Sequence, residues 1–243
     1  MGLTLEYENR KPCGVNHSML PAAALVTCWL FLYCMRSRPA AYSGEKELFF
    51  LPNMPKGRKY EVCSGENNGR YKTPSAYDLQ RLMWVHSGTS APMDEVRPRI
   101  YIGDMWAAKD KRMLQGHGIT HVLNAADGKF NVCTGPSFYR DTNITYHGVE
   151  AFDMPSFDMS PFFYSAAKFI KEALRMPANK VFVHCAMGLS RSSTLVLAYL
   201  MIYEHMTLQE AITAVSKHRN ICPNSGFLEQ LRQLDQQLHS QRK

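Results

Sequence analysis

One stretch of this chain constrains its fold more than any other: a short apolar strand, a five-residue loop and a helix that is apolar on every side. Residues 180–184 have the apolar centre of a strand in a sheet that is covered on both faces. The loop after Cys185 contains Gly188, and a helix is expected to begin at about Arg191. Residues 194–203 are apolar all round, which predicts a buried central helix. A strand and a helix joined this closely indicate an α/β domain.

The periodicity of the flanking sequence predicts the other elements of this domain. Thr73 is expected to cap a first helix, with Pro74 at its first helical position. Helices and strands then alternate, which predicts a central, mostly parallel sheet flanked by helices. Strands are predicted at 100–102, 121–123 and 144–149, and helices at 107–114, from Ser160 onward, and around Leu208 and Phe227 near the end of the chain.

The first seventy residues differ from the rest. We interpret residues 1–72 as a flexible, poorly ordered N-terminal extension and residues 73–243 as the folded domain. The extension holds an apolar run at 19–35 and a linker rich in Gly, Pro, Asn and basic residues. A helix of that run would just reach across a bilayer core, so a membrane anchor is the alternative. A secretory signal is disfavoured, because residues 36–39 (Arg-Ser-Arg-Pro) stand where a cleavage site needs small residues.

Charge and cysteine content exclude several classes of protein. The formal net charge is +7, which favours anionic partners such as phosphate but is too dispersed to indicate a nucleic-acid binder. Seven cysteines without a C-x-x-C pair provide neither a disulfide scaffold nor a zinc site. A reducing compartment follows, so we expect the protein in the cytoplasm and additionally in the nucleus.

The residues around Cys185 suggest a nucleophile at a phosphate site. A strand delivers Cys185 to the carboxyl end of the sheet, where open α/β sheets place their sites. The short loop and the following helix N-terminus can aim backbone N–H groups at one point, which binds an anion and stabilises a thiolate. Arg191 can grip two phosphate oxygens at once. The alternative is an inert buried cysteine, which leaves Gly188, Arg191 and Ser192 unexplained.

The motif His184-Cys185-x5-Arg191-Ser192 resembles the signature loop of cysteine-dependent protein phosphatases. The surrounding segments narrow this resemblance to the atypical, VH1-related dual-specificity phosphatases, and to their muscle- and testis-type members. The resemblance covers residues 73–240 and implies the cysteine-dependent phosphatase fold. Ser193 departs from the family, in which Ala or Pro is commoner after Arg-Ser. The segments that carry the resemblance are 95–103, 118–126, 146–153, 198–201 and 223–228.

The resemblance also implies a role for each residue of the site. Cys185 is the nucleophile, Asp153 the general acid and base, and Ser192 the hydroxyl that assists departure of the sulfur. Asp158 is the alternative acid, although its place before Ser160 also suits a helix cap. His184 is expected to orient the loop. Phosphate is expected to be bound by Ala186, Met187, Gly188, Leu189, Ser190 and Arg191, and a second phosphate by Arg219, for which a solvated charge is the alternative.

The loop composition indicates the substrate class. Residues 186–190 carry no charge, which favours a phosphoprotein side chain over a polyanionic headgroup. The resemblance implies hydrolysis of phosphotyrosine and phosphoserine or phosphothreonine, with MAP-kinase-like proteins as candidate substrates and with no metal or cofactor. No nucleic-acid partner is expected, a membrane is a partner only if residues 19–35 form an anchor, and a homodimer is left open. The rival function is a catalytically idle module that binds a phosphorylated protein.

Overall fold

A five-stranded sheet forms the centre of the computed structural model, which describes residues 71–86, 88–128 and 131–242. The strands lie in the order β1-β2-β5-β3-β4, in which β1 is antiparallel to β2 and the other neighbours are parallel. The predicted mostly parallel sheet is therefore confirmed. The strands are β1 (Met93–Arg97), β2 (Ile100–Gly103), β3 (His121–Asn124), β4 (Thr145–Gly148) and β5 (Val181–His184).

Helices cover both faces of this sheet. Along β5, Val181 and Val183 face one apolar core, whereas Phe182 faces a second core on the opposite side. The larger core contains α6, whose residues 191–201 are all buried, as expected for a helix that is apolar all round. The helices are α1 (Ala76–Val85), α2 (Met105–Lys109), α3 (Lys111–Gly116), α4 (Gly135–Phe138), α5 (Phe163–Ala173), α6 (Arg191–Tyr203), α7 (Leu208–Ser216) and α8 (Ser225–Gln241), and a 3-10 turn, Ser160–Phe162, precedes α5.

The start of the first helix differs from the prediction. Ser75, not Thr73, caps α1, because its hydroxyl oxygen accepts a hydrogen bond from the N–H of Asp78. The hydroxyl of Thr73 instead donates to the buried carboxylate of Asp235 in α8, at 2.5 Å. This tertiary contact displaces the predicted cap, and the helix begins at Ala76.

Two further segments are divided in the structure: the predicted helix at 107–114 and the segment 95–103, which resembles a single strand of the family. The helix predicted at 107–114 is two helices, because the carboxylate of Asp110 caps the second of them by accepting from the N–H of Met113. The segment 95–103 holds parts of two antiparallel strands, joined by a turn in which Arg99 has a left-handed φ of 69°. A short-range polar contact and a tight turn therefore interrupt both segments.

The N-terminal predictions lie outside the described residues. The apolar run at 19–35 belongs to that part of the chain, so its interpretation stays a prediction, as does the domain boundary at residue 72. The described residues belong to one compact unit. Across residues 71–86, 88–128 and 131–242, no helix combines the length and apolar character needed to span a membrane.

Candidate active site

Cys185 lies directly after β5, and its sulfur is surrounded by the loop that follows. The side chain is buried, at 1% exposure. The backbone N–H of Gly188 donates to Sγ at 3.2 Å, and Oγ of Ser192 lies 3.4 Å from the same sulfur. The amide of Gly188 therefore donates to the sulfur, and the hydroxyl of Ser192 is close enough to do the same.

The carbonyl groups of the loop are all held from outside it. In a trans peptide the C=O and the next N–H point in opposite directions, so a carbonyl bound outside turns the following N–H inward. The N–H groups of residues 186–191 are thereby directed toward the interior of the loop. The donors are Nδ1 of His184 to Cys185, the N–H of Met105 to Ala186, the guanidinium of Arg219 to Met187 and Gly188, the N–H of Cys222 to Leu189, and the N–H of Thr194 to Ser190.

Gly188 is required at the tightest point of this loop. Its φ is +70°, a conformation that L side chains rarely adopt. A Cβ atom at this position would lie 2.5 Å from the carbonyl oxygen of Gly103 and 2.6 Å from a guanidinium nitrogen of Arg219. A larger residue would therefore displace both β2 and the arginine.

His184 is a neutral, fully buried residue that contacts the loop backbone. Its Nδ1 lies 3.3 Å from the carbonyl oxygen of Cys185, which can only accept, so we assign the proton of the neutral ring to Nδ1. Burial lowers the pKa of His184 to about 4, and the nearby charge of Arg191 acts in the same direction. The ring also stacks on Phe182, with centroids 5.4 Å apart. This position suits the orienting role predicted for His184 and leaves it uncharged near neutral pH.

Arg191 begins α6 and is buried at 6% exposure. One terminal nitrogen donates to the carbonyl oxygen of Ala151 at 3.1 Å and to Oδ1 of Asn131 at 3.3 Å, which fixes the guanidinium plane. Within the described part of the chain, Nε has no hydrogen-bond partner. A buried donor without a partner costs free energy, so this group is suited to receive an anion oxygen.

Asp153 is placed beside Arg191 by two hydrogen bonds to one of its oxygens. Oδ1 accepts from the hydroxyl of Ser190 at 2.7 Å and from the side-chain amide of Asn224 at 2.9 Å. Oδ2 lies 3.6 Å from Nε of Arg191, and the side chain is 37% exposed. Because Oδ1 is occupied by two donors, Oδ2 is the oxygen that can carry and release a proton toward a ligand of Arg191.

The segment that carries Asp153 is fastened to α8. The side chain of Gln230 donates to the carbonyl oxygen of Phe157 at 2.9 Å and accepts from the N–H of Met159 at 2.8 Å. Gly226 packs so closely that a Cβ atom there would lie 1.9 Å from the carbonyl oxygen of Pro155. These contacts hold the segment against α8.

Asp158 has a local role in this segment. Its carboxylate accepts from the N–H of Ser160 at 3.0 Å and from the hydroxyl of Ser160 at 2.6 Å. These bonds precede the 3-10 turn and agree with the capping interpretation. Asp153, which contacts Ser190 and Arg191, is the better placed of the two carboxylates.

Arg219 requires a correction. The interpretation as a solvated charge is wrong, because the residue is 2% exposed and forms an ion pair with Asp94 of β1. A contact with a second phosphate also disagrees with its position, since Nε donates to the carbonyl oxygen of Gly188 at 2.8 Å and a terminal nitrogen donates to that of Ala91 at 2.7 Å. The donors of its guanidinium therefore bind acceptors of the protein, and they support the loop through its carbonyl groups.

Sequence reasoning missed three contributors to the site. Asn131 and Asn224 are polar residues in irregular segments, and each bonds one of the paired groups Arg191 and Asp153. Asn224 was visible within the segment 223–228 that carries the family resemblance, although nothing in its spacing marked a contact with Asp153. Asp94 lies on β1, which the periodicity did not predict as a strand, so its pairing with Arg219 had no local signal.

Comparison with known proteins identifies the class of protein that this fold and site represent. Residues 100–237 match the family model described as the dual specificity phosphatase catalytic domain. The chain belongs to this family and is a dual-specificity protein phosphatase, an enzyme that hydrolyses phosphotyrosine and phosphoserine or phosphothreonine. The predicted family, fold class and enzyme class are confirmed.

Particular relatives are similar over most of the described residues. Human dual specificity protein phosphatase 13B is 56% identical over 182 residues, which are 74% of this chain and 92% of that protein. The crystal structure of human DUSP28 is 25% identical, with a TM-score of 0.54 over 63% of this chain and 98% of that one. A mouse putative dual specificity phosphatase, crystallised with zinc tungstate, is 28% identical, with a TM-score of 0.55 over 63% and 92% of the two chains.

Proposed function

We propose that Cys185 is the nucleophile, Arg191 the phosphate clamp and Asp153 the general acid and base of this phosphatase. The observation that carries the proposal is the binding of every carbonyl from Cys185 to Ser190 by donors outside the loop. The amides of residues 186–191 then form a concave donor surface for phosphate oxygens, next to the sulfur. Ser190 makes no side-chain cap to α6, so the first-turn N–H groups of that helix can also serve the phosphate.

The first step transfers the phosphoryl group to the enzyme. The thiolate of Cys185 attacks phosphorus in line with the ester oxygen, and a sulfur–phosphorus bond forms as the phosphorus–oxygen bond breaks. Asp153 gives the proton on Oδ2 to the departing tyrosine, serine or threonine oxygen, which leaves as a neutral hydroxyl. Arg191 and the loop amides stabilise the equatorial oxygens while charge redistributes.

The second step releases phosphate. Asp153, now a carboxylate, accepts a proton from water, whose oxygen attacks phosphorus as the sulfur–phosphorus bond breaks. The hydroxyl of Ser192, 3.4 Å from Sγ, donates a hydrogen bond to the thiolate that leaves. The proton taken from water stays on Asp153. The products are therefore inorganic phosphate and the enzyme in its starting protonation state.

The experiment separates the nucleophile from the acid. The C185S variant is expected to lose turnover of para-nitrophenyl phosphate and of phosphopeptides, and unchanged turnover would contradict the proposal. The D153A variant is expected to bind phosphopeptide while its turnover falls by about 10²-fold to 10⁴-fold, because the leaving group must depart without a proton. The D158A variant is the matched control and should keep most of the activity. The idle binding module would instead be supported by a different result. In that case the unchanged chain binds phosphoprotein without hydrolysing it, and the C185S variant folds normally.

The finer part of the proposal concerns the substrate protein. We propose a phosphoprotein in which a single phosphate enters the loop, because residues 186–190 add no charge. MAP-kinase-like substrates, phosphorylated on both threonine and tyrosine, follow from the family resemblance. The test is incubation with a purified, doubly phosphorylated MAP kinase, from which both phosphates should be removed. Retention of both phosphates beside rapid hydrolysis of para-nitrophenyl phosphate would contradict this substrate.

Self-association and location complete the proposal. Trp84 and Val85 at the end of α1 are 84% and 70% exposed, which supports a homodimer formed through this apolar surface. Analytical sedimentation should show a dimer for the unchanged chain and a monomer for the W84S variant. A monomer of the unchanged chain at assay concentrations would contradict the proposal.

We propose the cytoplasm, and additionally the nucleus, as the location, to be tested by fractionation of cells that produce the full chain.

A further inference from the structure

Four exposed apolar side chains border the catalytic loop. Trp106 is 66% exposed, Phe152 41%, Met154 50% and Met187 47%. We call these four residues the apolar rim. Clusters of exposed apolar side chains on folded proteins commonly mark binding surfaces, since water contact with them is unfavourable.

The backbone connections of the rim place it at both ends of the loop. Trp106 follows Met105, whose N–H donates to the carbonyl oxygen of Ala186 at the start of the loop. Phe152 and Met154 flank Asp153, whose carboxylate accepts from the hydroxyl at the end of the loop. Met187 belongs to the loop itself. A phosphorylated residue that enters the loop is therefore bordered by the rim on two sides.

Two members of the rim are held in position by neighbouring side chains. The ring of Phe152 packs edge-on against Phe157, with centroids 6.0 Å apart, and Phe157 stacks on Phe162 at 6.3 Å. Nζ of Lys109 lies 5.7 Å from the centroid of the Trp106 ring. A surface that is ordered before binding loses less conformational entropy on contact with a partner.

The charged groups near the loop are engaged within the protein. The carboxylate of Asp104 accepts from two N–H groups of α2, at 2.9 Å each. Asp153 and Arg191 form an ion pair beside the loop, with Oδ2 and Nε 3.6 Å apart. Lys109 is an exposed cation that lies over the ring of Trp106. The carboxylates of Asp104 and Asp153 are therefore already bonded within the protein, whereas the four side chains of the rim remain exposed.

We infer that the apolar rim binds apolar side chains on either side of the phosphorylated residue in a protein substrate. This inference rests on the proposed function and specifies its substrate class. In an extended segment successive residues advance by about 3.3 Å, so neighbours of the phosphorylated residue reach both ends of the loop. Strongly polar neighbours would lose water at the apolar side chains of the rim without gaining hydrogen bonds from them.

The test compares two phosphotyrosine peptides, one flanked by leucine and phenylalanine and the other by serine and aspartate. The unchanged chain is expected to favour the apolar peptide by about tenfold in kcat/KM, equivalent to about 1.4 kcal/mol. The W106Q and M154Q variants should each lose several-fold of this preference while hydrolysing para-nitrophenyl phosphate at the original rate. M176Q is the matched control, because Met176 is 62% exposed but precedes β5, at the end of the strand opposite Cys185.

The outcomes distinguish this inference from the proposed function. Retention of the preference in M176Q and its loss in M154Q support the apolar rim. Equal kcat/KM for the two peptides, with normal hydrolysis of para-nitrophenyl phosphate, overturns the rim alone. An equal loss of preference in M154Q and M176Q also overturns it. Absence of para-nitrophenyl phosphate hydrolysis by the unchanged chain overturns the proposed function and the rim together.

Discussion

The buried imidazole of His184 should make the stability of this protein depend on pH. Burial lowers the pKa of His184 to about 4, whereas a histidine in the unfolded chain titrates near 6.5. Its Nδ1 already donates to the carbonyl oxygen of Cys185, so an added proton must reside on Nε2, which has no hydrogen-bond partner among the described residues. The unfolded chain therefore binds more protons than the folded chain between these two pKa values.

The direction and size of the effect follow from this difference. Stability is highest above pH 6.5, falls as the pH drops through the window from 6.5 to about 4, and changes no further below it for this residue. The complete loss is roughly 3 kcal/mol, and the part between pH 7 and pH 5 is about 2 kcal/mol.

Urea unfolding at pH 7 and pH 5 measures the effect. In the H184N variant the asparagine amide can still donate to the carbonyl of Cys185 but does not titrate, so its loss of stability should be about 2 kcal/mol smaller. His121 and His147, which are half-buried, are present in both proteins. Their contributions to the pH dependence therefore cancel when the two proteins are compared. H205N is the matched control at an exposed position, where a φ of 57° suits asparagine, and it should behave like the unchanged chain. Equal pH dependence in H184N and the unchanged chain would refute the reasoning. If H184N does not fold, an imidazole nitrogen of His184 that titrates near pH 6.5 by NMR would refute it equally.

Three further predictions follow, two on the support of the loop and one on the catalytic acid. R219Q should lower stability by about 3–5 kcal/mol, since it leaves Asp94 without its buried partner. Urea unfolding of R219Q beside R219K would measure this loss, and a change below about 1 kcal/mol in R219Q would contradict the prediction. S193A should lower stability by about 1 kcal/mol, because the hydroxyl of Ser193 bonds the carbonyl oxygens of Leu189 and Ser190, and unchanged thermal unfolding would contradict this. The plot of kcat/KM against pH should be bell-shaped, and D153N should lose the alkaline limb, where a protonated acid is required; a retained limb would assign the acid elsewhere.

The strand, loop and helix around Cys185 could be predicted because their signals are local. The apolar centre of β5, the position of Gly188 and the apolar helix α6 are each visible within a few consecutive residues. Asp153 was selected by family resemblance, and the structure adds the contacts that favour it over Asp158. Local periodicity indicates which face of an element is buried, but not which other element covers it.

The misassigned features depend on contacts between distant parts of the chain. Arg219 and Asp94 are 125 positions apart, and Thr73 and Asp235 are 162 positions apart. Neither pair has a sequence spacing that a helix or strand imposes. A hydroxyl that satisfies a distant buried carboxylate does not differ, in sequence, from one that caps the nearest helix.

The loop carbonyls have a consequence for attempts to transplant this motif. Three of their donors, at Met105, Arg219 and Cys222, come from segments remote from the strand and helix that carry the cysteine. If residues 184–192 were copied into another strand–helix junction, those carbonyl oxygens would lose their donors. The N–H groups of the loop would then no longer point toward one position. The conformation of the catalytic loop therefore depends on the complete domain. Local unfolding that releases one of these remote segments should abolish activity before the sheet unfolds.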